Sequence, residues 1–401
     1  MPSQILHTLF GEDIINSLYN RLEKEFGDRF GLLADKALQK ITGDYRGAFV
    51  LGCQGPDIFY HNQGRRPVGL SYGSLLHRRG YGIFTAGILK MGLPDPPPGE
   101  DDIKNHRREK GINAMGCYAL GFMTHAVLDR CCHPYIVYRA DRKYHVFFER
   151  ILDVLMLKRL RGADAAAWDQ NSILAGICGN PPLGLKELIA RSLAAAYPER
   201  AGKDQKLLQR IDNTFADCAN FYRLTAPRQT ALAGQSKGME TILSIFGLQS
   251  LALVFPEKLP DEIDFLNLNH APWHYPYVPP NSAPATAPAV DRNGNADRND
   301  NIDRNGNADR NDNIDTRSFP DIYAAALEAG INTLAPCIIQ YLDSGIFPIA
   351  EAARSIGNSC LSIQDENGKP CAPNLTCPLA LGEILRQQGR IRGFRAWGNE
   401  E

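Results

Sequence analysis

What this sequence most plainly lacks is thiolate spacing. It has ten cysteines in 401 residues but no Cys-x2-Cys pair anywhere, so the common frame of a structural zinc site is missing, even though Cys131 and Cys132 stand beside His133. Ten cysteines in a chain this long fit buried, reduced thiols better than a disulfide framework. It also lacks an excess of one charge: 44 Lys and Arg face 45 Asp and Glu, a formal net charge of -1. There is no overall basic footprint for displacing counterions, and nucleic acid is not favoured as a partner. No unbroken apolar run reaches the roughly 18 residues that a membrane span needs. The opening MPSQILHTLFGEDIINSLYN has neither a basic n-region nor an apolar h-region. The expectation is a cytoplasmic protein, with peripheral membrane contact left open by four arginines (Arg386, Arg390, Arg392, Arg395) around Phe394 and Trp397.

No stretch alternates as strands do, whereas apolar residues recur at threes and fours through most of the chain. Ile14, Ile15, Leu18, Leu22, Phe26, Phe30, Leu33, Ala37 and Ile41 predict helix from about Phe10, with Gly27 and Gly31 as breaks and His7 just ahead of it. Residues 45–52 predict a short helix that stops at Gly55-Pro56-Asp57. Another helix follows His77 through Ile83, Ala86, Ile88 and Leu89, with Arg78 and Arg79 as solvated charge. The acids after Pro94 lead into a helix that runs through Ile112, Met115, Leu120, Met123 and Val127 and ends at Pro134. Residues 144–160 predict the next helix, and helical pattern continues to about 255, punctuated at Pro181-Pro182, Pro198 and Pro227. Trp273, between His270 and His274, reads as packing. His61 and His106 read as surface residues.

The chemistry concentrates in residues 121–150, which hold His125, His133 and His145. Two of these histidines have a carboxylate four positions on, His125-x3-Asp129 and His145-x3-Glu149. On a helix, residues i and i+4 lie on one face, so each pair can present an imidazole and a carboxylate to one point. Imidazole nitrogen and carboxylate oxygen are zinc donors, and such mixed acidic sets mark hydrolytic sites more than structural ones.

This order, His-x3-Asp, His, His-x3-Glu, with Gly55-Pro56-Asp57 and His7 upstream, resembles the zinc-dependent phospholipase C family, whose fold is related to the S1/P1-type nucleases. The resemblance is specific over about the first 160 residues and fainter to about 280. It implies an all-α, multi-helix bundle around a cluster of two or three Zn²⁺ ions. By the resemblance, Asp57, His77, His125 and Asp129 hold one zinc, His133, His145 and Glu149 a second, and Asp129 bridges to a third held by His7. Asp57 is also implied as the catalytic base. The implied reaction is hydrolysis of a glycerophospholipid to diacylglycerol and a phosphorylated head group. The chain departs from secreted members at its start, where they use the amino group of a terminal tryptophan and this chain reads Met1-Pro2. A single-strand nuclease and a catalytically inert, zinc-stabilised helical scaffold stand as alternatives.

Residues 1–278 are expected to form the catalytic domain. In the expected insert, 279–317, the twelve residues DRNGNADRNDNI occur twice in tandem after a Pro/Ala segment. With almost no large apolar residue it cannot offset its ordering entropy and is expected to be disordered. An EF-hand loop wants Gly at position six and Glu at twelve, where the repeat has Ala296 and Ile302. Residues 318–401 are expected to pack on the core as helix and end in the basic tail.

Overall fold

The computed structural model describes residues 4–27, 39–93, 112–140, 144–165, 168–224, 259, 262–275, 314–365, 367–371, 378–379 and 381. Helix α1 is Gln4–Phe26 and ends at Gly27, whose φ of +53° suits glycine. After a π-turn at Lys40–Asp44 come α2 (Arg46–Cys53) and a 3-10 helix (Gly55–His61). Then follow α3 (Leu70–Arg78), α4 (Tyr81–Gly92), α5 (Ala114–Arg139) and α6 (His145–Arg161). The first half closes with α7 (Gln170–Gly179) and α8 (Leu185–Ala196), and α9 (Leu207–Leu224) lies beyond them. A two-stranded ladder, β1 (Trp273–His274) against β2 (Ile314–Asp315), precedes α10 (Phe319–Ser344) and α11 (Ile349–Ile356). The fold is all-α, as the periodicity implied.

Helix α5 is the axis, buried along most of its length and touched by α1, α2, α4, α6, α10 and α11. It begins at Ala114, where the Asn113 side chain accepts the N–H of Gly116 at 2.9 Å, a normal N-cap. The acids expected to start it lie at 94–111, outside the described residues. It packs against α2 at glycine distance: a Cβ on Gly121 would sit 2.2 Å from the Phe49 carbonyl, and one on Gly52 2.1 Å from that of Tyr118. Backbones that close set α2, and the turn after it, directly on the histidine face of α5.

Pro134 does not end α5. Proline costs a helix one N–H and crowds the carbonyl four residues back. Here tertiary bonds beyond it hold the last turn, Tyr135 Oη donating to Phe265 O at 2.8 Å and the Arg139 guanidinium to Asp264 O, and the helix's own bond from Ala140 N to Ile136 O at 3.0 Å closes it. Nor does His7 precede α1, which starts three residues before it. Its cap comes from α6, where Asp153 accepts Leu6 N at 2.7 Å and Ile5 N at 3.3 Å.

The C-terminal helices join this core. Ser318 and Asp321 form a capping box at the start of α10, and Phe319, Ile322, Tyr323, Ala326 and Leu334 are buried. Phe319–Tyr341 is, by length and composition, the described helix apolar enough to cross a membrane. It nevertheless lies against α5 and α1. Trp273 packs as expected, edge-on to Tyr135 with ring centres 5.4 Å apart, while His270 and His274 are exposed. The ladder brings together the two ends of 276–313. That stretch, with the tandem repeat, lies outside the described residues, as do His106, Pro227 and the basic tail.

Candidate metal centre

Four elements converge on one point. Asp57 enters from the first turn of the 3-10 helix, and it can do so because Gly55 takes φ +55° against the His125 ring. A Cβ on Gly55 would stand 2.4 Å from His125 Cγ. Helix α3 supplies His77 from its last turn, α1 supplies His7, and α5 supplies His125, Asp129 and His133 at successive i+4 positions.

Main-chain carbonyls orient three of the rings. His77 Nδ1 lies 2.8 Å from Gly73 O, His125 Nδ1 3.2 Å from Cys53 O, and His133 Nδ1 3.2 Å from Leu361 O. A carbonyl only accepts, so each Nδ1 carries the proton and each Nε2 is left with a lone pair. The Tyr60 hydroxyl adds a contact to His77 Nδ1 at 3.3 Å.

Those lone pairs face carboxylates. His77 Nε2 is 3.0 Å from Asp57 Oδ1 and 3.5 Å from Asp129 Oδ2. His125 Nε2 is 3.2 Å from Asp129 Oδ2 and 3.8 Å from Asp57 Oδ2. His7 Nε2 is 3.3 Å from Asp129 Oδ1 and 3.9 Å from Asp57 Oδ2, with its ring stacked 4.1 Å from that of His125. On the far side, His133 Nε2 is 3.5 Å from Glu149 Oε1 of α6.

Electron-rich atoms facing each other at such distances repel unless a proton or a cation lies among them. They are also shielded from solvent: both Asp57 carboxylate oxygens, His125 Nε2, Asp129 Oδ2, Glu149 Oε2 and His7 Nδ1 are buried without a hydrogen-bond partner. Unpaired buried charge of this kind is too costly to leave uncompensated. The donor set fits a cation, and two groupings place their donor atoms within 4.8 Å of one another: His7, His125 and Asp129; and Asp57, His77 and His125. Nitrogen and carboxylate oxygen together suit zinc.

Unless a cation lies among them, these carboxylates draw protons onto the rings instead. Burial alone would lower the pKa of His7 and of His77, yet both are raised, His7 by Asp129 and His77 by Asp57. His133 is pushed up to about 9 against its burial, by Asp129 and then Glu149. His125, fully enclosed and stacked on His7, goes down because burial outweighs the pull of Asp129. Burial would raise Asp129, but His125 and His133 hold it well below the usual carboxylate range, and His133 likewise lowers Glu149.

Of the eight residues singled out in the sequence, seven thus meet in one chain of close approaches. His145, in the first turn of α6 and half-buried, acts on Glu149 through its charge and makes contacts of its own, but falls in neither grouping. Arg78 and Arg79 are exposed as expected. His61, taken for a surface residue, is buried: its ring stacks 4.2 Å from Phe221, and Tyr222 Oη lies 3.3 Å from its Nε2. Asp153 went unnoticed, although it continues the His145, Glu149 spacing by four. The nine described cysteines are free, seven of them buried, and none joins the cluster.

The family model described as zinc dependent phospholipase C matches residues 7–198, a span that holds all eight of these residues. No curated protein and no solved structure matches the chain.

Proposed function

We propose, on the match of residues 7–198 to the zinc-dependent phospholipase C family model, that the chain is a zinc-dependent phospholipase C that hydrolyses a glycerophospholipid to diacylglycerol and a phosphorylated head group. The observation that carries this reading is the buried convergence of Asp57, Asp129, His7, His77 and His125, in which both Asp57 oxygens, Asp129 Oδ2 and His125 Nε2 lack hydrogen-bond partners. An inert scaffold has no need of a carboxylate-rich centre.

His7, Asp57, His77, His125 and Asp129 would hold one part of the metal cluster, and His133 and Glu149, with His145, the other. Zinc supplies Lewis acidity there, lowering the pKa of a bound water and drawing charge from phosphate oxygen. Asp57 occupies the turn rather than a long helix and is the carboxylate able to accept the proton of the attacking water. The water oxygen bonds to phosphorus, the bond from phosphorus to the glycerol oxygen breaks, and that oxygen leaves with the electron pair and gains a proton. The ring tautomers set by Gly73, Cys53 and Leu361 keep Nε2 directed at the centre throughout. Such a substrate resides in a bilayer, so the expected workplace is a lipid surface, on its cytoplasmic side.

A substrate panel tests the reaction. Zinc-loaded protein should release phosphorylated head group from phospholipid vesicles or micelles and leave single-stranded DNA intact. Cleavage of DNA alone would move the reaction to the nuclease class, and inertness on every phosphodiester would favour the scaffold.

A further inference from the structure

The family match ends at residue 198, yet the chain returns to the metal centre more than 150 residues later. Residues 357–365 cross the end of α3, the start of α4 and the flank of α5 around Arg130 and His133. Gly82 N–H donates to Gly357 O at 2.9 Å, Gly80 N–H to Asn358 O at 3.2 Å, and Ile83 N–H to Asn358 Oδ1 at 3.0 Å. From α5, the Arg130 guanidinium donates to the carbonyl of Ile356, the last residue of α11, and to two carbonyls of this strap, Ser359 O at 3.3 Å and Gly357 O at 3.5 Å.

At the centre of the strap is Leu361, fully buried. Its N–H donates to the carbonyl of His77 at 2.8 Å, and its carbonyl accepts from His133 Nδ1 at 3.2 Å. The first bond satisfies a carbonyl that the last turn of α3 leaves without a helical partner. The second fixes which nitrogen of His133 carries the proton. One peptide residue therefore holds two proposed ligands on two different helices.

We infer that Leu361 is a positioning residue of the metal centre, acting through its main chain, and that the Arg130-clamped strap is a built part of the site. The inference rests on the proposed metal-binding role of His77 and His133. His77 also has Gly73, and His125 has Cys53, each an acceptor from a nearby element. Asp129 Oδ2 lies 3.7 Å from His133 Nδ1, beyond hydrogen-bond reach, so among the described residues the strap carbonyl at 3.2 Å is the acceptor that sets its tautomer. Released from Leu361, the ring can turn or exchange its proton between nitrogens, and Nε2 ceases to be held toward Glu149. Loss of such outer partners typically lowers metal affinity roughly 10–100-fold.

The test uses full-length chain labelled with ¹⁵N-histidine and loaded with zinc. Long-range ¹H–¹⁵N spectra should show His133 protonated at Nδ1, with that proton slow to exchange, and metal-bound through Nε2. Arg130→Met removes the three clamp bonds at similar volume. It should lower zinc affinity roughly 10–100-fold and abolish the single slow-exchanging His133 tautomer, and Arg130→Lys should restore part of both. A folded Arg130→Met protein with parental affinity and an unchanged His133 signal overturns the inference. If Arg130→Met does not fold, the parent decides: metal on His133 Nδ1, or a rapidly exchanging proton there, overturns it. A parent that takes up no metal overturns the proposed function instead, and this inference with it.

Discussion

Asp153 Oδ1 accepts the main-chain N–H of Leu6 at 2.7 Å, joining α6 to the first turn of α1 across 147 residues of sequence. Its other oxygen takes Ile5 N–H at 3.3 Å, so one buried carboxylate caps the helix that carries His7. Glu149 lies one turn before Asp153 on the same helix. The cap thus ties the two ends of the cluster to one frame.

Asp153→Ala should remove that tie and leave two buried N–H groups of α1 unpaired. A lost cap costs about 1–2 kcal/mol, and the slackened His7 should weaken zinc binding as well. Asp153→Asn keeps an acceptor and should lose less of both. Thermal unfolding and zinc titration of the two variants check this, and equal loss in both would show that the charge, not the acceptor, matters.

Asp57→Asn should separate chemistry from folding. Its two oxygens have no hydrogen-bond partner, so a neutral amide of the same shape removes repulsion as well as a base. The expected outcome is an unfolding temperature near the parent's and a turnover at least about 100-fold lower, the usual scale for a lost general base. Parental turnover on phospholipid would remove Asp57 from the mechanism.

His61 gives a pH dependence of its own. Burial among Phe221 and Tyr222 lowers its pKa to about 3, with Arg150 adding to the effect. In the unfolded chain it protonates near 6.5, so between about 6.5 and 3 the unfolded state binds the extra proton. Stability is full above that window and falls as pH drops through it, with a slope of up to about 1.4 kcal/mol per pH unit from this residue. His61→Phe keeps the stack on Phe221 and should flatten that part of the curve, read by denaturant unfolding from pH 7 to 4. An unchanged slope would place the acid sensitivity elsewhere.

The ligand helices were legible because their signal is local. His125-x3-Asp129 and Asp129-x3-His133 are one helix face, and Gly55-Pro56 marks a turn whatever it packs on. What the sequence concealed is tertiary. Pro134 reads as a stop, and only the bonds from Tyr135 and Arg139 to residues 264–265 carry α5 past it. His7 reads as preceding its helix because the cap, Asp153, lies in a distant element. His61 has polar neighbours in sequence and aromatic ones in space. Leu361 works through peptide atoms that every residue has, so nothing in its side chain announces it. The tandem repeat at 291–314, so plain in the sequence, lies almost wholly outside the described residues.

Metal content tests the assignment of this centre most directly. Protein grown with ample zinc, purified without chelator and analysed by mass spectrometry of the metal should carry roughly two or three zinc ions per chain, and stripping them should lower the unfolding temperature. Fewer than about one ion per chain, with the unfolding temperature indifferent to chelator, would contradict it.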